Sequence, residues 1–136
     1  MDIFSEIKKL NFPQEKYLVI GGASMAGRKL KETKDIDLLL SKDFIEELRK
    51  DTTWKYHPRI IPSEEAGLVN SDGSVELYPA VGGIALSFED MKTREEIIDG
   101  IPFADLHDIL RIKETYKREK DMGDIELIKT YLEFLK

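Results

Sequence analysis

Residues 17–40 decide the fold of this chain, and they read YLVIGGASMAGRKLKETKDIDLLL. The first four form a compact apolar run that ends at two glycines, which is typical of a buried strand leaving its sheet through a tight turn. Ser24 is a suitable N-cap, so we expect a short helix over residues 25–31. In residues 35–40 one face is wholly apolar while the other carries Asp35 and Asp37, which indicates a second strand.

The flanking sequence has the pattern of an α/β domain. Apolar residues at helical spacing predict a helix over 2–10, which Pro13 prevents from continuing. A second helix is expected over 42–50, where it would cover the second strand. Residues that are β-branched or aromatic, without helical periodicity, predict strands over 53–61 and 66–70.

The C-terminal half begins with a hairpin and continues mainly as helix. Residues 71–74, Ser-Asp-Gly-Ser, signal a turn into a further strand over 75–81, after which Gly82-Gly83 marks a bend. From residue 89 we expect mostly helix, with one short extended piece. The extended piece is expected at 101–103, the helices near 106–119 and 122–135, and the buried stripe of the last helix at Ile128, Tyr131, Leu132 and Leu135.

Together these elements predict a single α/β (α+β) domain over residues 1–136. It would have a small mixed β-sheet flanked by helices, with the sheet core and the site in 1–88 and a helical C-terminal part in 89–136.

Composition excludes several classes of protein. The chain has no cysteine, so disulfide frameworks, thiolate zinc sites and cysteine nucleophiles are excluded. No apolar run approaches the roughly 18 residues that a membrane span needs, so we expect a cytoplasmic protein with no membrane contact. The net charge of −6 makes general nucleic-acid binding unfavourable. Two local basic runs, residues 28–31 and 113–120, could still serve an anionic ligand, although solvated helix faces would give the same pattern.

The two aspartates of the second strand suggest a metal site. Asp35 and Asp37 project from one face with Cα atoms about 7 Å apart, and they repel each other unless a cation compensates. Mg²⁺ (or Mn²⁺) suits such a pair, because Mg²⁺ takes one or two carboxylates and completes its octahedron with water and phosphate oxygens. Two such ions can activate an attacking hydroxyl and neutralise a leaving pyrophosphate. Glu76, in a strand expected to join the same sheet, is the best candidate for a third carboxylate.

The glycine turn suggests an anion site. Gly21 and Gly22 end a strand just before a helix, where free backbone N–H groups attract an anion. Ser24 could add a hydroxyl donor, and Arg28 or Lys29 could add charge one helical turn later. An ordinary turn that uses glycine for its dihedral angles would look the same.

These residues resemble the signature of the nucleotidyltransferase superfamily that includes DNA polymerase beta. That signature is an apolar residue, Gly, then Gly or Ser, a gap of roughly nine to thirteen residues, and Asp-apolar-Asp/Glu-apolar. Here it reads Ile20-Gly21-Gly22, a gap, and Asp35-Ile36-Asp37-Leu38. The C-terminal helices also resemble the Lys...Arg-x-Lys-Asp-x-x-Asp pattern of small bacterial and archaeal members, some of which are toxins of toxin-antitoxin systems. The matching residues are Lys113, Arg118, Lys120, Asp121 and Asp124.

The resemblance implies a metal-dependent transfer of a nucleoside monophosphate from a nucleoside triphosphate to an unidentified acceptor. Asp35 and Asp37 would be metal ligands and catalytic residues, and Glu76 the third ligand and general-base candidate. The triphosphate would lie on Gly21, Gly22 and Ser24, with the C-terminal residues in secondary roles. The sequence departs from the family at two places: the third acid is Glu instead of Asp, and Gly22 replaces the common Ser. A protein partner or a second copy of the chain could complete the cleft.

Other interpretations remain open at this level. The protein could be a catalytically weak or inactive nucleotide-binding or protein-interaction module, for example of a toxin-antitoxin pair, or a structural domain whose acids pair with basic residues. The glycine spacing does not fit a Rossmann fingerprint. A P-loop is nearer, because Gly22 and Gly27 have the right gap, but Arg28-Lys29 stands where Lys-Ser/Thr is required. His57 and His107 lack metal-ligand spacing and are expected to be structural. Trp54 and Tyr56 are expected to pack in the core or on the sheet.

Overall fold

A computed structural model describes residues 1–58, 66–81 and 86–136. Within these ranges one mixed sheet has the strand order β3-β4-β5-β2-β1-β7-β6. The strands are β1 (Tyr17–Ile20), β2 (Ile36–Leu40), β3 (Lys55–His57), β4 (Gly67–Val69), β5 (Val75–Tyr78), β6 (Glu96–Ile98) and β7 (Ile101–Phe103). The helices are α1 (Ile3–Leu10), α2 (Gly21–Ala26), α3 (Lys42–Leu48), α4 (Phe88–Lys92), α5 (Leu106–Tyr116) and α6 (Glu119–Phe134).

The centre of the sheet is the strand–helix–strand unit that the sequence predicts. β1 and β2 are antiparallel, with Ile20 opposite Asp37. β2 also pairs in parallel with β5, so that Asp37 lies opposite Glu76. Residues directly opposite each other in a ladder point to the same face, so these acids share a face of the sheet.

Each face of the sheet is covered by helices. Ile36, Leu38 and Leu40 of β2 are fully buried in a core that includes residues of α1 and α3. The other face, which carries Leu18 and Leu39, is buried in a second core with α5 and α6. α1 and α3 therefore close one side, and α5 and α6 lie over the side that carries the acids.

The C-terminal part contributes strands as well as helices. The extended piece at 101–103 is β7, which pairs in parallel with β1. Residues 96–98, for which no strand was expected, form β6 and pair with β7 through a turn in which Asp99 and Gly100 have positive φ. The sheet therefore extends beyond residue 88.

Other sequence predictions need smaller corrections. The helix expected at 25–31 instead begins at Gly21, and Ser24 lies inside it, so the N-cap prediction for Ser24 is wrong. Leu135 is 60% exposed and lies outside the buried stripe of α6, to which Ile125 belongs instead. The hairpin turn at 71–74 is confirmed, with Gly73 at φ +80. The bend predicted at Gly82-Gly83 and the end of the strand predicted over 53–61 lie outside the described residues.

None of the helices in the described ranges combines the length and the apolarity that a membrane crossing requires.

Candidate active site

The candidate site is a cavity of about 250 Å³ between the sheet and α5. Its acidic lining comes from Asp37 on β2, Glu76 on β5 and Asp35, which directly precedes β2. Its basic lining comes from the C-terminal helices and the turn between them, namely Lys113, Arg118 and Lys120. Apolar and aromatic side chains of α5 complete the wall: Ile109, Ile112 and Tyr116. The cavity therefore has acids on one wall and cations on another.

Gly21 brings the chain close to Asp37. It has φ +63, a left-handed conformation that favours glycine, and a Cβ placed on it would lie 2.5 Å from Asp37 Oδ2. The turn after β1 is thus packed against the carboxylate of the neighbouring strand. Gly21 of the turn and Asp37 of β2 therefore lie side by side in the structure.

The pKa of the Asp37 carboxyl is raised well above its ordinary value. Burial raises its pKa, and the negative charges of Glu76 and then Asp35 raise it further, to about 7; Lys113 and Lys120 act in the opposite direction. In the described part of the chain, no side chain donates a hydrogen bond to Asp37 or forms an ion pair with it. An ionised Asp37 is therefore destabilised, and a divalent cation at this place would relieve the repulsion.

Glu76 is held by two neighbours that also line the cavity. Its Oε2 accepts a short hydrogen bond from the Tyr78 hydroxyl, and His57 Nε2 lies 3.5 Å from the same oxygen. The rings of His57 and Tyr78 meet edge to face, with centroids 6.4 Å apart. From its sequence context alone, His57 is expected to be a structural residue. It reaches the site because β3 pairs with β4, which in turn pairs with β5, a relation that residue spacing does not reveal.

The basic wall is fixed by an ion-pair network behind it. Lys113 is buried, and its Nζ lies 3.1 Å from Asp124 Oδ2 and 3.6 Å from Asp121 Oδ1. Lys31 Nζ also contacts Asp124, at 3.0 Å, and Arg118 contacts Asp121 at 2.8 Å. Burial raises the pKa of Asp124, but hydrogen bonds from Lys31 and Lys113 outweigh it and hold the pKa below its ordinary value.

The three predicted metal ligands, Asp35, Asp37 and Glu76, all line the cavity. Across the described ranges, no three His, Asp or Glu side chains already converge as a metal-binding group. Asp37 nevertheless fits a cation, because Glu76 and Asp35 crowd it and no described side chain donates a hydrogen bond to it. The structure thus provides an acid pair facing a cavity, with the third acid opposite it and turned partly toward Tyr78.

No protein-family model and no curated protein matches the sequence. Among solved structures, a candidate nucleotidyltransferase from Thermotoga maritima superposes with a TM-score of 0.54 at 18% identity, covering 98% of this chain and 90% of that one. The chain has a nucleotidyltransferase-like fold. A Megavirus polyadenylate synthase also matches, at a TM-score of 0.39 and 16% identity over 85% of this chain and 28% of the other.

Within this nucleotidyltransferase-like fold, three residues predicted to bind nucleotide lie away from the cavity. Ser24 is fully buried, and its hydroxyl donates to the Gly21 carbonyl at 2.6 Å. The Arg28 side chain is 5% exposed and donates to the carbonyls of Ser24 and Ala104. Lys29 is exposed and does not line the cavity. Ser24 and Arg28 therefore hold the turn together structurally.

Gly22 has a different neighbourhood from Gly21. A Cβ on Gly22 would lie 3.2 Å from Thr33 Oγ1 and 3.4 Å from Lys31 Cε. Lys31 therefore lies beside the glycine turn. From its sequence context alone, it is identified only as a member of the basic run 28–31. Its partner in the structure is Asp124, so it links the turn to α6.

Proposed function

We propose that the protein transfers a nucleoside monophosphate from a nucleoside triphosphate to an acceptor hydroxyl in a metal-dependent reaction. The observation that supports this proposal best is Asp37, an acid crowded by Glu76 and Asp35 at a cavity whose other wall carries Lys113, Arg118 and Lys120. Crowded carboxylates attract a divalent cation, and cations opposite them attract a polyphosphate. The nucleotidyltransferase-like fold also supports this proposal.

The cation would be held by Asp35 and Asp37, with Glu76 as the third carboxylate. Mg²⁺ or Mn²⁺ bound there supplies charge neutralisation for the phosphates and lowers the pKa of the attacking hydroxyl. Asp35, Asp37 and Glu76 would determine where the bound cation lies. Asp37 is fixed between β1 and β5 in the middle of the sheet, so its carboxylate keeps its place beside the turn at Gly21.

The polyphosphate would lie between the glycine turn and the basic wall. Gly21 has no side chain and lets an anion approach the backbone. Lys113 is buried and held by Asp121 and Asp124, so its ammonium group is preorganised instead of mobile. Lys120 and Arg118 add positive charge at the same cavity.

The transfer exchanges one bond to phosphorus for another. The acceptor oxygen bonds to the α-phosphorus, and the bond from that phosphorus to the bridging oxygen breaks, so that pyrophosphate leaves with the electron pair. The proton of the acceptor hydroxyl passes to a carboxylate oxygen of Glu76. The acceptor could be a small molecule, a protein side chain or an RNA end. The net charge of −6 disfavours the RNA end.

A second candidate function is a nucleotide-binding module with little or no catalytic activity, working through protein contacts. The observation that favours it is that, across the described ranges, no three His, Asp or Glu side chains already converge as a metal-binding group. The two functions predict the same nucleotide and metal binding. They differ in the release of pyrophosphate.

The test is thermal unfolding with each ribonucleoside triphosphate, with and without Mg²⁺ or Mn²⁺. A ligand present at 100 times its dissociation constant stabilises the native state by about 2.7 kcal/mol. We expect a metal-dependent rise in the melting temperature that the double variant Asp35→Asn, Asp37→Asn loses. Asp99→Asn is the matched control, because Asp99 lies at the exposed turn between β6 and β7 and pairs with Lys8.

Equal shifts in the double variant and the wild type would remove the two aspartates from the proposal. Pyrophosphate release on addition of candidate acceptors then separates transferase from binding module. Nucleotide binding without release from any acceptor class would favour the second candidate.

A further inference from the structure

Glu76 differs from the two aspartates in its freedom of movement. A glutamate has one more methylene and one more rotatable bond than an aspartate, so its carboxylate can occupy more positions. A group that must accept a proton or hold a cation at a fixed point loses effectiveness when it moves by about 1 Å. A glutamate in this place therefore needs an external restraint.

The structure supplies such a restraint on one oxygen only. Tyr78 lies two residues after Glu76 on β5, so both side chains project from the same strand face. The Tyr78 hydroxyl donates to Oε2, and His57 approaches the same Oε2 from β3. Among the described residues, the other oxygen, Oε1, has no hydrogen bond or ion pair. One oxygen of Glu76, a residue that lines the cavity, is thus held, and the other is not.

The contact is built on a strand inside the sheet. β5 is hydrogen bonded on both sides, to β4 and to β2. Tyr78 is partly buried and packs against the core beneath α5 and α6. The hydroxyl that meets Glu76 is therefore carried by the strand next to the one that carries Asp37.

We propose that Tyr78 is a positioning residue for Glu76, which orients Oε1 toward the site of Asp35 and Asp37, with His57 as a second support. This inference rests on the proposed function. It assigns the Tyr78 hydroxyl a role in the reaction although that hydroxyl does not touch the reacting atoms.

The test compares Tyr78→Phe with wild type, because this change removes the hydroxyl and keeps the ring. Tyr56→Phe is the matched control, since Tyr56 is 71% exposed on β3 and does not line the cavity. Loss of an outer hydrogen-bond partner of a metal-site ligand typically costs about 10- to 100-fold in metal affinity or activity. We expect Tyr78→Phe to lower kcat by that factor while KM for the nucleoside triphosphate stays within about twofold.

A second readout does not depend on turnover. Mn²⁺ affinity in the presence of nucleoside triphosphate is measured by electron paramagnetic resonance for wild type, Tyr78→Phe, Tyr56→Phe, Glu76→Gln and the double variant Tyr78→Phe, Glu76→Gln. If Tyr78 acts through Glu76, Tyr78→Phe weakens Mn²⁺ binding and adds less than about twofold in the Glu76→Gln background. Tyr56→Phe leaves the affinity unchanged.

The outcomes separate this inference from the proposed function. Wild-type protein that binds no Mn²⁺ with any nucleoside triphosphate overturns both. Wild-type binding that Tyr78→Phe leaves intact, together with unchanged kcat, overturns the positioning role alone. A loss in Tyr78→Phe that is equally large in the Glu76→Gln background would also overturn it, because the hydroxyl would then act independently of Glu76.

Discussion

Replacing Asp37 by asparagine should stabilise the protein that contains no metal. The pKa of Asp37 is raised from 3.8 to about 7, by burial first and then by Glu76 and Asp35. Between these pH values the unfolded chain releases its proton while the folded chain retains it, so the stability that this group contributes is lost as the pH rises through about 7. Over that interval the loss amounts to about 4 kcal/mol.

Asparagine does not ionise, so Asp37→Asn avoids this loss. We expect the variant to be more stable than wild type at pH 8 by at least about 1 kcal/mol, with the 4 kcal/mol above as the ceiling, since unfolded chains retain some structure. A gain of 1 kcal/mol corresponds to roughly 3–5 °C in melting temperature for a domain of this size. The difference should shrink toward zero as the pH falls to about 4.

The assay is urea unfolding of both proteins in the presence of a chelator, at several pH values between 5 and 8. Asp124→Asn serves as a control of opposite sign, because its carboxylate is held below its ordinary pKa by Lys31 and Lys113 and the amide cannot replace those ion pairs. Equal or lower stability of Asp37→Asn at pH 8, or a difference that does not change with pH, would refute the reasoning.

Two further variants test the turn that follows β1. Gly21→Ala should lower the free energy of unfolding by about 1–3 kcal/mol, because alanine is strained at φ +63. It should also weaken metal-dependent nucleotide binding, since the new Cβ would lie 2.5 Å from Asp37 Oδ2. Thermal shifts with and without Mg²⁺ measure both effects, and unchanged binding would contradict the close approach. Arg28→Ala should destabilise by about 2–3 kcal/mol through loss of its buried hydrogen bonds while nucleotide affinity of the folded protein is unchanged. Lys29→Ala, at an exposed neighbour, should change neither; a selective loss of affinity in Arg28→Ala would show that Arg28 reaches the ligand.

The sequence could predict the glycine turn and the acidic strand because both are local features. Alternation places Asp35 and Asp37 on one face, and the paired glycines mark the end of β1. Both features depend only on neighbours along the chain. Glu76 could also be predicted, since the turn at 71–74 fixes where its strand begins.

The residues that were misjudged depend on relations across the sheet. Ser24 has the side chain of an N-cap, but the helix already begins at Gly21, so a local rule gave the wrong start. Arg28 was expected at the phosphates, yet Ala104 and Glu96 of the distant β6–β7 region provide its partners. His57 lines the cavity because β3 pairs with β4 and β4 with β5, and residue spacing does not reveal strand order.

The chain order of the strands has a consequence for how the acids come together. β1, α2 and β2 are consecutive, so Gly21 and Asp37 can meet through short-range contacts, whereas β5 joins them from a later segment of the chain. The charge of Glu76 is therefore brought against Asp37 only when the β4–β5 hairpin docks. The repulsion between Glu76 and Asp37 therefore opposes the pairing of β5 with β2, and divalent ions in solution would weaken that opposition by screening the two like charges.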